Sequence, residues 1–284
     1  MLLSEEDIKA YQRDGAVLLK GVLTEQEVAL LAAGLEESRH HPGKRATHAT
    51  SPTGDGVTFL ETFPSLASGS LSALLESSRI PEIAARMMRA SSSQLILDQV
   101  FYKEAGSIIP TPWHQDTPFL RVRGDDMIRV WVTPDFSPKE ISLQIVRGSH
   151  RWGVVFDPRP PAAEASQIKE TQGRFVQVGA GGGPAVPDIN RYRESFDILN
   201  WDVAPGDALI FNGNMLHAAG GAENHSTPRR AYTSMWGGPQ LQYITPPDNA
   251  LPTLAQINKV DVPFDVAIGP YTEAFPVGWR EADA

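Results

Sequence analysis

Residues 206–217 read GDALIFNGNMLH, and this stretch decides the kind of fold that the chain should adopt. Gly206 and Asp207 are a turn signal, and the apolar run that follows them is typical of a buried strand. His217 closes the stretch. A lone histidine in such a place is most often a hydrogen-bonded core residue, so the stretch alone predicts a buried strand and leaves the role of His217 open.

Similar short apolar runs recur from residue 94 onward, separated by Gly, Pro and other turn residues. Regular short strands with this punctuation predict an all-β sandwich or barrel. The predicted strands are Leu95–Tyr102, Ile128–Val132, Ser142–Val146, Asp197–Val203, Ala208–Phe211 and Ala231–Trp236. The Pro- and Gly-rich stretch at 157–190 interrupts them and is predicted to be a long functional loop, such as a lid.

Before residue 94 the pattern is helical. Ser4-x-x-Asp7 and Thr24-x-x-Glu27 are helix-start signals, each followed by apolar residues at helical spacing. These signals predict helices at about residues 4–13, 24–39 and 81–89, a strand at 16–19 and a loop at 40–57. We expect one domain over residues 1–284, with helical support at 1–93, a β core at 94–240 that carries the lid 157–190, and a C-terminal segment 241–284 that wraps the surface.

The composition excludes several classes of protein. The formal net charge is −9 and no cluster of Lys and Arg stands out, which argues against nucleic acid or an anionic membrane as partner. The chain has no cysteine, so disulfides, cysteine–zinc sites and thiol nucleophiles are excluded. No apolar run has the length of a transmembrane helix, and the N-terminus lacks the features of a signal peptide. The expectation is a cytoplasmic enzyme that acts on a small-molecule substrate.

A second polar stretch, residues 112–118, reads PWHQDTP and contains His114 and Asp116. Residues two apart in a strand point to the same face, so one segment would present both side chains to one ion. A single His-x-Asp is weak evidence, because a chance match is ordinary in a chain with seven histidines and 34 acidic residues. With His217, however, the chain has the two imidazoles and one carboxylate that hold a non-haem Fe(II) on one face.

Arg229 and Arg230 open an otherwise apolar strand after a loop-like segment. A charged residue there needs an anionic partner or an exposed place, and exposure is the expected outcome for one of the two. A guanidinium facing an iron site would hold the carboxylate of a dicarboxylic cosubstrate. The pattern favours an iron oxygenase.

In order along the chain, these motifs resemble the phytanoyl-CoA dioxygenase family of Fe(II)/2-oxoglutarate-dependent oxygenases over about residues 5–240. The segments that carry the resemblance are Asp14–Leu19, Trp113–Pro118, Ile128–Trp131, Leu143–Arg151, Gly206–His217, Asn224 and Arg229–Ala231. The joint pattern is far more specific than any one motif. It implies a mainly β chain with flanking helices around a double-stranded β-helix, the jelly-roll core also found in cupins.

The resemblance also implies roles for individual residues. The residues expected to bind Fe(II) and to form the catalytic centre are His114, Asp116 and His217. Arg229 would pair with the distal carboxylate of 2-oxoglutarate, and it is preferred over Arg230 because a small residue, Ala231, follows it two positions on, as in the family. Gln99 and Trp131 fall where the family contacts the cosubstrate.

Some positions depart from the family pattern. Arg147 replaces the usual Pro of the Pro-Gly-Ser-His turn, Ile141-Ser142 replaces the usual Asn-Gly before that strand, and Ala219 stands where some relatives have a hydroxyl. These changes leave the predicted iron site intact, but they weaken any close equivalence to members that hydroxylate acyl-CoA. Asp116 argues against halogenation, since halogenating relatives have a small residue in its place.

The resemblance implies hydroxylation, or another oxidation, of an unactivated C–H bond with Fe(II), 2-oxoglutarate and O2, and release of succinate and CO2. The pocket rims are expected at residues 40–60, 117–125 and 157–190, which include Phe119, Leu120, Arg121, Arg123 and Phe156. This mixture favours an apolar small molecule with a polar or anionic handle, such as a secondary metabolite or a lipid-like acid. An acyl-CoA hydroxylase, a non-oxidative cupin-type metalloenzyme and a binding protein with a residual metal site are the alternatives.

Overall fold

Antiparallel strands form the centre of the fold, and helices pack outside them. The computed structural model describes residues 3–50, 56–157, 170–171, 183–246 and 250–282. Its helices are α1 (Glu5–Asp14), α2 (Glu25–His40), α3 (Gly69–Ser77), α4 (Ile80–Met88) and α5 (Leu254–Asn258). Its strands are β1 (Ala16–Leu19), β2 (Ala46–Thr50), β3 (Val57–Thr62), β4 (Ser92–Lys103), β5 (Gly106–Ile108), β6 (Thr111–His114), β7 (Val122–Arg123), β8 (Met127–Val132), β9 (Leu143–Val146), β10 (Glu170–Thr171), β11 (Ile198–Asn200), β12 (Ala208–Asn212), β13 (His217–Ala219), β14 (Ala222–His225), β15 (Arg229–Gly237), β16 (Gln242–Tyr243), β17 (Val266–Ala267) and β18 (Val277–Arg280).

Two sheets form the jelly roll. The larger sheet has the order β1-β12-β8-β15-β4-β3-β2-β10, and β18 pairs with the start of β4. The smaller sheet has the order β11-β9-β13-β6. Neighbouring strands in both sheets run antiparallel. The predicted fold class, a mainly β chain with flanking helices around a double-stranded β-helix core, is confirmed.

Local capping signals place the first two helices correctly. The Ser4 Oγ accepts a hydrogen bond from the Asp7 amide at 3.1 Å, and the Thr24 Oγ1 accepts one from the Glu27 amide at 3.3 Å, each within a complete capping box. The third predicted helix is confirmed as α4, whereas α3 was not predicted because its sequence, GSLSALLES, mixes serine with leucine and carries a weak helical signal. No helix in the described part of the chain combines the length and apolarity needed to cross a bilayer.

The strand predictions hold in the core and fail at its margins. Each of the six predicted strands overlaps an observed one. Residues 46–50, predicted to lie in a loop, instead form β2, which extends the larger sheet by pairing with β3. The C-terminal segment supplies β18 and buries Phe275. The division into helical support, core, lid and C-terminal wrap stays a prediction, and most of the predicted lid at 157–190 lies outside the described residues.

The larger sheet separates two apolar cores. One core joins this sheet to the helices and includes Leu31, Leu35 and Trp236. The other lies between the two sheets and includes Trp131 and Phe211. Since side chains alternate along a strand, each strand of the larger sheet contributes one set of residues to the helical core and the other set to the space between the sheets, where the site lies.

Asp98, on β4, faces the helical core and is fully buried. Its Oδ2 accepts hydrogen bonds from the Ser65 amide at 3.1 Å and from the Tyr232 hydroxyl at 3.0 Å, whereas its Oδ1 has no partner within the described residues. Burial raises the pKa of Asp98 to about 6, and the nearby charge of Glu61 acts in the same direction. The folded chain therefore disfavours the ionised carboxylate.

We expect this carboxyl group to make folding less favourable as the pH rises from about 4 to about 6, because ionisation then costs more in the folded than in the unfolded chain. A pKa difference of about two units corresponds to about 3 kcal/mol. Asp98→Asn should remove this dependence. Between pH 4 and pH 7 the free energy of unfolding of the variant should therefore rise by about 2 kcal/mol relative to that of wild type, less than the full difference because the unfolded carboxyl group is already partly ionised at pH 4. Denaturant titrations at both pH values measure the difference. Asp261→Asn, at an exposed aspartate, serves as control, and parallel profiles for Asp98→Asn and wild type would contradict the prediction.

Candidate metal centre

Two histidines face each other across neighbouring strands of the smaller sheet. His114 is the last residue of β6 and His217 is the first residue of β13, and the two are directly paired in the antiparallel register. Directly paired residues bring their side chains together, and here the two ring centroids are 4.3 Å apart. Strand pairing therefore joins two imidazoles that lie far apart in the sequence.

Asp116 joins the histidines from a turn rather than from the strand. Strand β6 ends at His114, and Asp116 has helical backbone angles (φ −75°, ψ −32°) at the start of a short 3-10 helix. The expectation that one strand presents both residues by its pleat is therefore wrong. The side chains still meet, since the Nε2 atoms of His114 and His217 lie 3.8 and 3.9 Å from the Asp116 Oδ1. One possible ligand atom from each residue lies within 4.8 Å of the others.

Main-chain carbonyl groups orient both imidazoles. The Nδ1 of His114 lies 2.8 Å from the Pro112 carbonyl oxygen, and the Nδ1 of His217 lies 3.0 Å from that of Met215. A carbonyl oxygen only accepts hydrogen bonds, so each Nδ1 carries the proton and each Nε2 presents its lone pair to the cluster. Burial lowers the pKa of His217 to about 3 and also lowers that of His114. Both rings are thus held neutral, the form that binds metals.

The carboxylate of Asp116 is held in its ionised form. Burial by itself would raise the pKa of Asp116, but the charge of Arg129, with a smaller effect of the two histidine rings beside it, outweighs burial and lowers the pKa. The Arg129 Nε lies 3.1 Å from the Asp116 Oδ2. The N–H does not point along this line, and the contact is an ion pair rather than a hydrogen bond, so this oxygen has no hydrogen-bond partner within the described residues.

The cluster lies at the wall of a cavity between the two sheets. The cavity measures about 1310 Å³ including its open mouth. The smaller sheet contributes the two histidines, and the larger sheet contributes residues of β4, β8 and β15. Most of the remaining wall is apolar, and its side chains are Leu60, Leu97, Phe101, Phe119, Leu120, Leu143, Phe211, Leu251 and Pro252.

Arg229 lines the same cavity as a buried cation. It is 4% exposed, and within the described residues its Nε and one terminal nitrogen have no hydrogen-bond partner. Its guanidinium carbon lies 5.3 Å from the centre of the Trp131 ring, a cation–π contact. Burial lowers the pKa of Arg229 to about 10, so the group remains charged near neutral pH. An unpaired buried charge is costly, and these nitrogen atoms are therefore suited to an anion that enters the cavity.

Arg230 points away from the cavity and is already paired. Its guanidinium donates to both carboxylate oxygens of Asp135 at 2.8 Å and to Glu36 on α2 at 2.6 Å. These carboxylates raise the pKa of Arg230, with the hydrogen bond to Asp135 as the largest cause. The two adjacent arginines thus have different environments, since Arg230 links α2 to the sheet while Arg229 borders the cavity that contains the metal cluster.

Gln99 and Trp131, predicted from the resemblance, also border the cavity. They lie on β4 and β8, on either side of Thr233 in β15, and the register aligns the three in one row across the sheet. The Gln99 Nε2 donates to the Thr62 hydroxyl at 3.3 Å, and its Oε1 accepts from Arg129 at 2.7 Å.

Sequence reasoning missed several cavity residues. Arg129 is one of them, although the argument used for Arg229 applies to it, since it too is a charge within an apolar strand. Lys44 and Arg45, by contrast, fall within the rim predicted at residues 40–60, and they border the cavity beside β2. Some expected rim residues do not line the cavity, as Arg121 donates to the Leu251 carbonyl oxygen and Phe156 packs in a separate core outside the smaller sheet.

The side chains present fit a non-haem iron centre. Two neutral imidazoles and one ionised carboxylate on one side of an ion leave its other side open to the cavity. The unpartnered nitrogen atoms of buried Arg229 fit one carboxylate of a dicarboxylic acid, the group that a guanidinium binds best. In the described part of the chain, one cavity therefore contains both a set of iron ligands and an anion site.

Comparison with known proteins identifies the family. A family model described as phytanoyl-CoA dioxygenase (PhyH) matches residues 11–231, most of the chain. The sequence matches none of the curated proteins with which it was compared.

Similar solved structures agree with this fold. The carbocyclase SnoK from nogalamycin biosynthesis has a TM-score of 0.69 and 20% identity, covering 97% of this chain and 96% of that chain. The epimerase SnoN, in complex with Fe3+, alpha ketoglutarate and nogalamycin RO, has a TM-score of 0.68 and 19% identity over 97% and 98%. EctD from S. alaskensis, with 2-oxoglutarate and 5-hydroxyectoine, has a TM-score of 0.63 and 16% identity over 93% and 83%. The chain belongs to the phytanoyl-CoA dioxygenase family and is a non-haem iron and 2-oxoglutarate-dependent enzyme.

Proposed function

We propose that the enzyme hydroxylates an unactivated C–H bond of an apolar small molecule that carries a polar or anionic group, such as a secondary metabolite or a lipid-like acid. The observation that carries this proposal is the presence of two groups in one largely apolar cavity: the His-Asp-His cluster and a buried guanidinium with two nitrogens that have no hydrogen-bond partner among the described residues. The guanidinium would bind the cosubstrate, and the cluster would bind the metal.

In this proposal His114, Asp116 and His217 hold Fe(II), and Arg229 pairs with the distal carboxylate of 2-oxoglutarate. When bound, iron and 2-oxoglutarate would supply oxidising chemistry with O2, and 2-oxoglutarate would be converted to succinate and CO2. The chain's own residues would bind and orient the metal, the cosubstrate and the substrate, and would exclude water. The two Nδ1–carbonyl contacts keep the imidazoles aimed at the metal. Trp131 covers one face of the guanidinium.

The remaining cavity wall supports the proposed substrate class. Apolar side chains from β3, β4 and the loop after β6 would contact a hydrocarbon body. Lys44 is exposed and Arg45 is half-buried at the same cavity, and both would attract an acidic group. The Arg45 guanidinium lies 5.8 Å from the Phe63 ring centre, a contact that limits its freedom. A free carboxylic acid suits this arrangement better than a CoA thioester, which would need cations for several phosphates.

The first test is an anaerobic titration of the metal-free protein with Fe(II) and then with 2-oxoglutarate. Chelation of 2-oxoglutarate by iron at this site should produce a weak visible charge-transfer band, which should require both components. The same titration with succinate, which lacks the keto group, should give no band and is the matched control. Metal binding without the band would refute the cosubstrate site and favour a non-oxidative metalloenzyme.

A screen for substrate-dependent succinate formation would test the substrate class. Apolar free acids, the corresponding alcohols and the corresponding CoA thioesters should be compared at equal concentration. The proposal expects the free acids to stimulate succinate release most strongly and the product to gain one oxygen atom by mass. Stimulation by thioesters alone would replace this proposal with an acyl-CoA hydroxylase, and an unchanged product mass with a new ring or configuration would replace hydroxylation.

A further inference from the structure

The three proposed metal ligands differ in the groups that orient their side chains. The backbone orients both histidines, since the Nδ1 atoms of His114 and His217 lie within 3.0 Å of carbonyl oxygens. A carboxylate only accepts hydrogen bonds, so Asp116 needs a donor or a cation for the same purpose. The pleat of β6 does not orient Asp116 either, because this residue lies in a turn after the strand has ended. A side chain that contacts the carboxylate is therefore well placed to orient it.

Arg129 is the side chain in that position. Its Nε lies 3.1 Å from the Asp116 Oδ2, while the other carboxylate oxygen, Oδ1, faces the two histidine Nε2 atoms at 3.8 and 3.9 Å. The two oxygens of one carboxylate thus have separate surroundings. One oxygen faces the metal cluster, and the other faces a cation.

Arg129 is itself fixed. It lies in β8, between β12 and β15 in the larger sheet, and it is 5% exposed. One terminal nitrogen donates to the Gln99 Oε1 at 2.7 Å, and Gln99 in turn donates to Thr62. Stability alone does not account for such a residue, because replacing a buried ion pair with apolar side chains is often neutral or stabilising. A role in orienting Asp116 does account for it.

We infer that Arg129 is a positioning residue that holds one oxygen of Asp116 and so presents only the other oxygen to the metal. The inference rests on the proposed metal role of Asp116. The ion pair also withdraws electron density from the carboxylate, which makes Asp116 a weaker donor to iron than an unpaired carboxylate would be. An unrestrained Asp116 would be able to use both oxygens and would occupy a position that the cosubstrate needs.

Arg129→Gln tests the inference with two readouts that do not depend on turnover. The dissociation constant for Fe(II) should rise by roughly 10- to 100-fold, the usual range when a group that orients a metal ligand is removed, because the loss of the fixed orientation of Asp116 outweighs its stronger donation. At saturating Fe(II) and 2-oxoglutarate, the charge-transfer band should shift to longer wavelength, because an unpaired carboxylate raises the energy of the iron electrons. A merely structural role would lower the melting temperature and leave the band in place.

Two further variants keep the test decisive. Arg129→Lys retains the charge and most of the side-chain volume but cannot reach Asp116 and Gln99 together as the planar fork does, so both readouts should fall between wild type and Arg129→Gln. Arg230→Gln removes another ion-paired arginine outside the cavity and should leave affinity within about twofold, because exposed and half-exposed pairs contribute little. If folded Arg129→Gln or Arg129→Lys protein binds Fe(II) as tightly as wild type with an unshifted band, the inference is overturned. If wild type gives no band, the proposed function fails instead.

Discussion

Replacing Asp116 with alanine is expected to abolish substrate-dependent succinate formation and to weaken Fe(II) binding by more than 100-fold. Loss of a residue that orients a metal ligand typically lowers the metal affinity by about 10- to 100-fold, and loss of the ligand itself should lower it further. Asp116 is the only anion of the cluster, and its removal also leaves the buried charge of Arg129 without its ion-pair partner. Iron affinity by titration and succinate release measure the two effects.

His217→Ala should give the same loss of activity and of the charge-transfer band, and it leaves the Asp116–Arg129 ion pair in place. If both variants lose activity, unfolding caused by the broken Asp116–Arg129 ion pair is not a sufficient explanation. His225→Ala is the matched control, because His225 lies on β14, is not among the residues that line the cavity and should retain activity near that of wild type. Full turnover in Asp116→Ala or His217→Ala would refute the metal assignment.

Replacing Arg229 with glutamine is expected to raise the KM for 2-oxoglutarate by on the order of 100-fold or more. Removing one partner of a buried ion pair costs about 3–5 kcal/mol. Arg229 is a buried cation at this cavity, and two of its nitrogens have no hydrogen-bond partner in the part of the chain that the structure describes. The iron affinity measured without cosubstrate should change little, because Arg229 is not among the groups that could ligate the metal.

Arg230→Gln is the matched comparison, since it removes the same charge one residue along the chain. It breaks the ion pairs with Asp135 and Glu36, so it should lower the melting temperature modestly and leave the KM for 2-oxoglutarate within about twofold, as surface pairs contribute about 0–1 kcal/mol. If Arg230→Gln raises the KM and Arg229→Gln does not, the anchor has been assigned to the wrong arginine.

The sequence predicts the parts of this fold whose signals are local. The capping boxes at Ser4 and Thr24 fix where α1 and α2 begin, because each cap involves residues only three apart. The apolar run 208–211 predicts β12 in the same way. By contrast, β2 forms at residues 46–50, which include no large apolar side chain, and it is a strand because β3 is available to pair with it. That cause is tertiary and has no local pattern.

The same distinction between local signals and tertiary causes applies to the residues of the site. His114, Asp116, His217 and Arg229 carry recognisable motifs, and the structure brings all four to one cavity. Their motif did not reveal how Asp116 is presented, because a turn and a strand end are alike in so short a segment. Arg129 lies in a strand that reads as core, and only the pairing of β8 with β12 and β15 places its side chain opposite Asp116.

The cavity wall comes from two different sheets. Ligand binding in this cavity is therefore linked to the folding equilibrium. The metal cluster includes β6 and β13 of the smaller sheet, while Arg229 belongs to β15 of the larger sheet. A cosubstrate held by both would act as a non-covalent cross-link between sheets that otherwise meet through side-chain packing. A ligand that binds only the folded chain adds about 2.7 kcal/mol to its stability at a free concentration 100 times its dissociation constant. The loaded enzyme should therefore resist heat and proteolysis as a more tightly closed sandwich than the empty one.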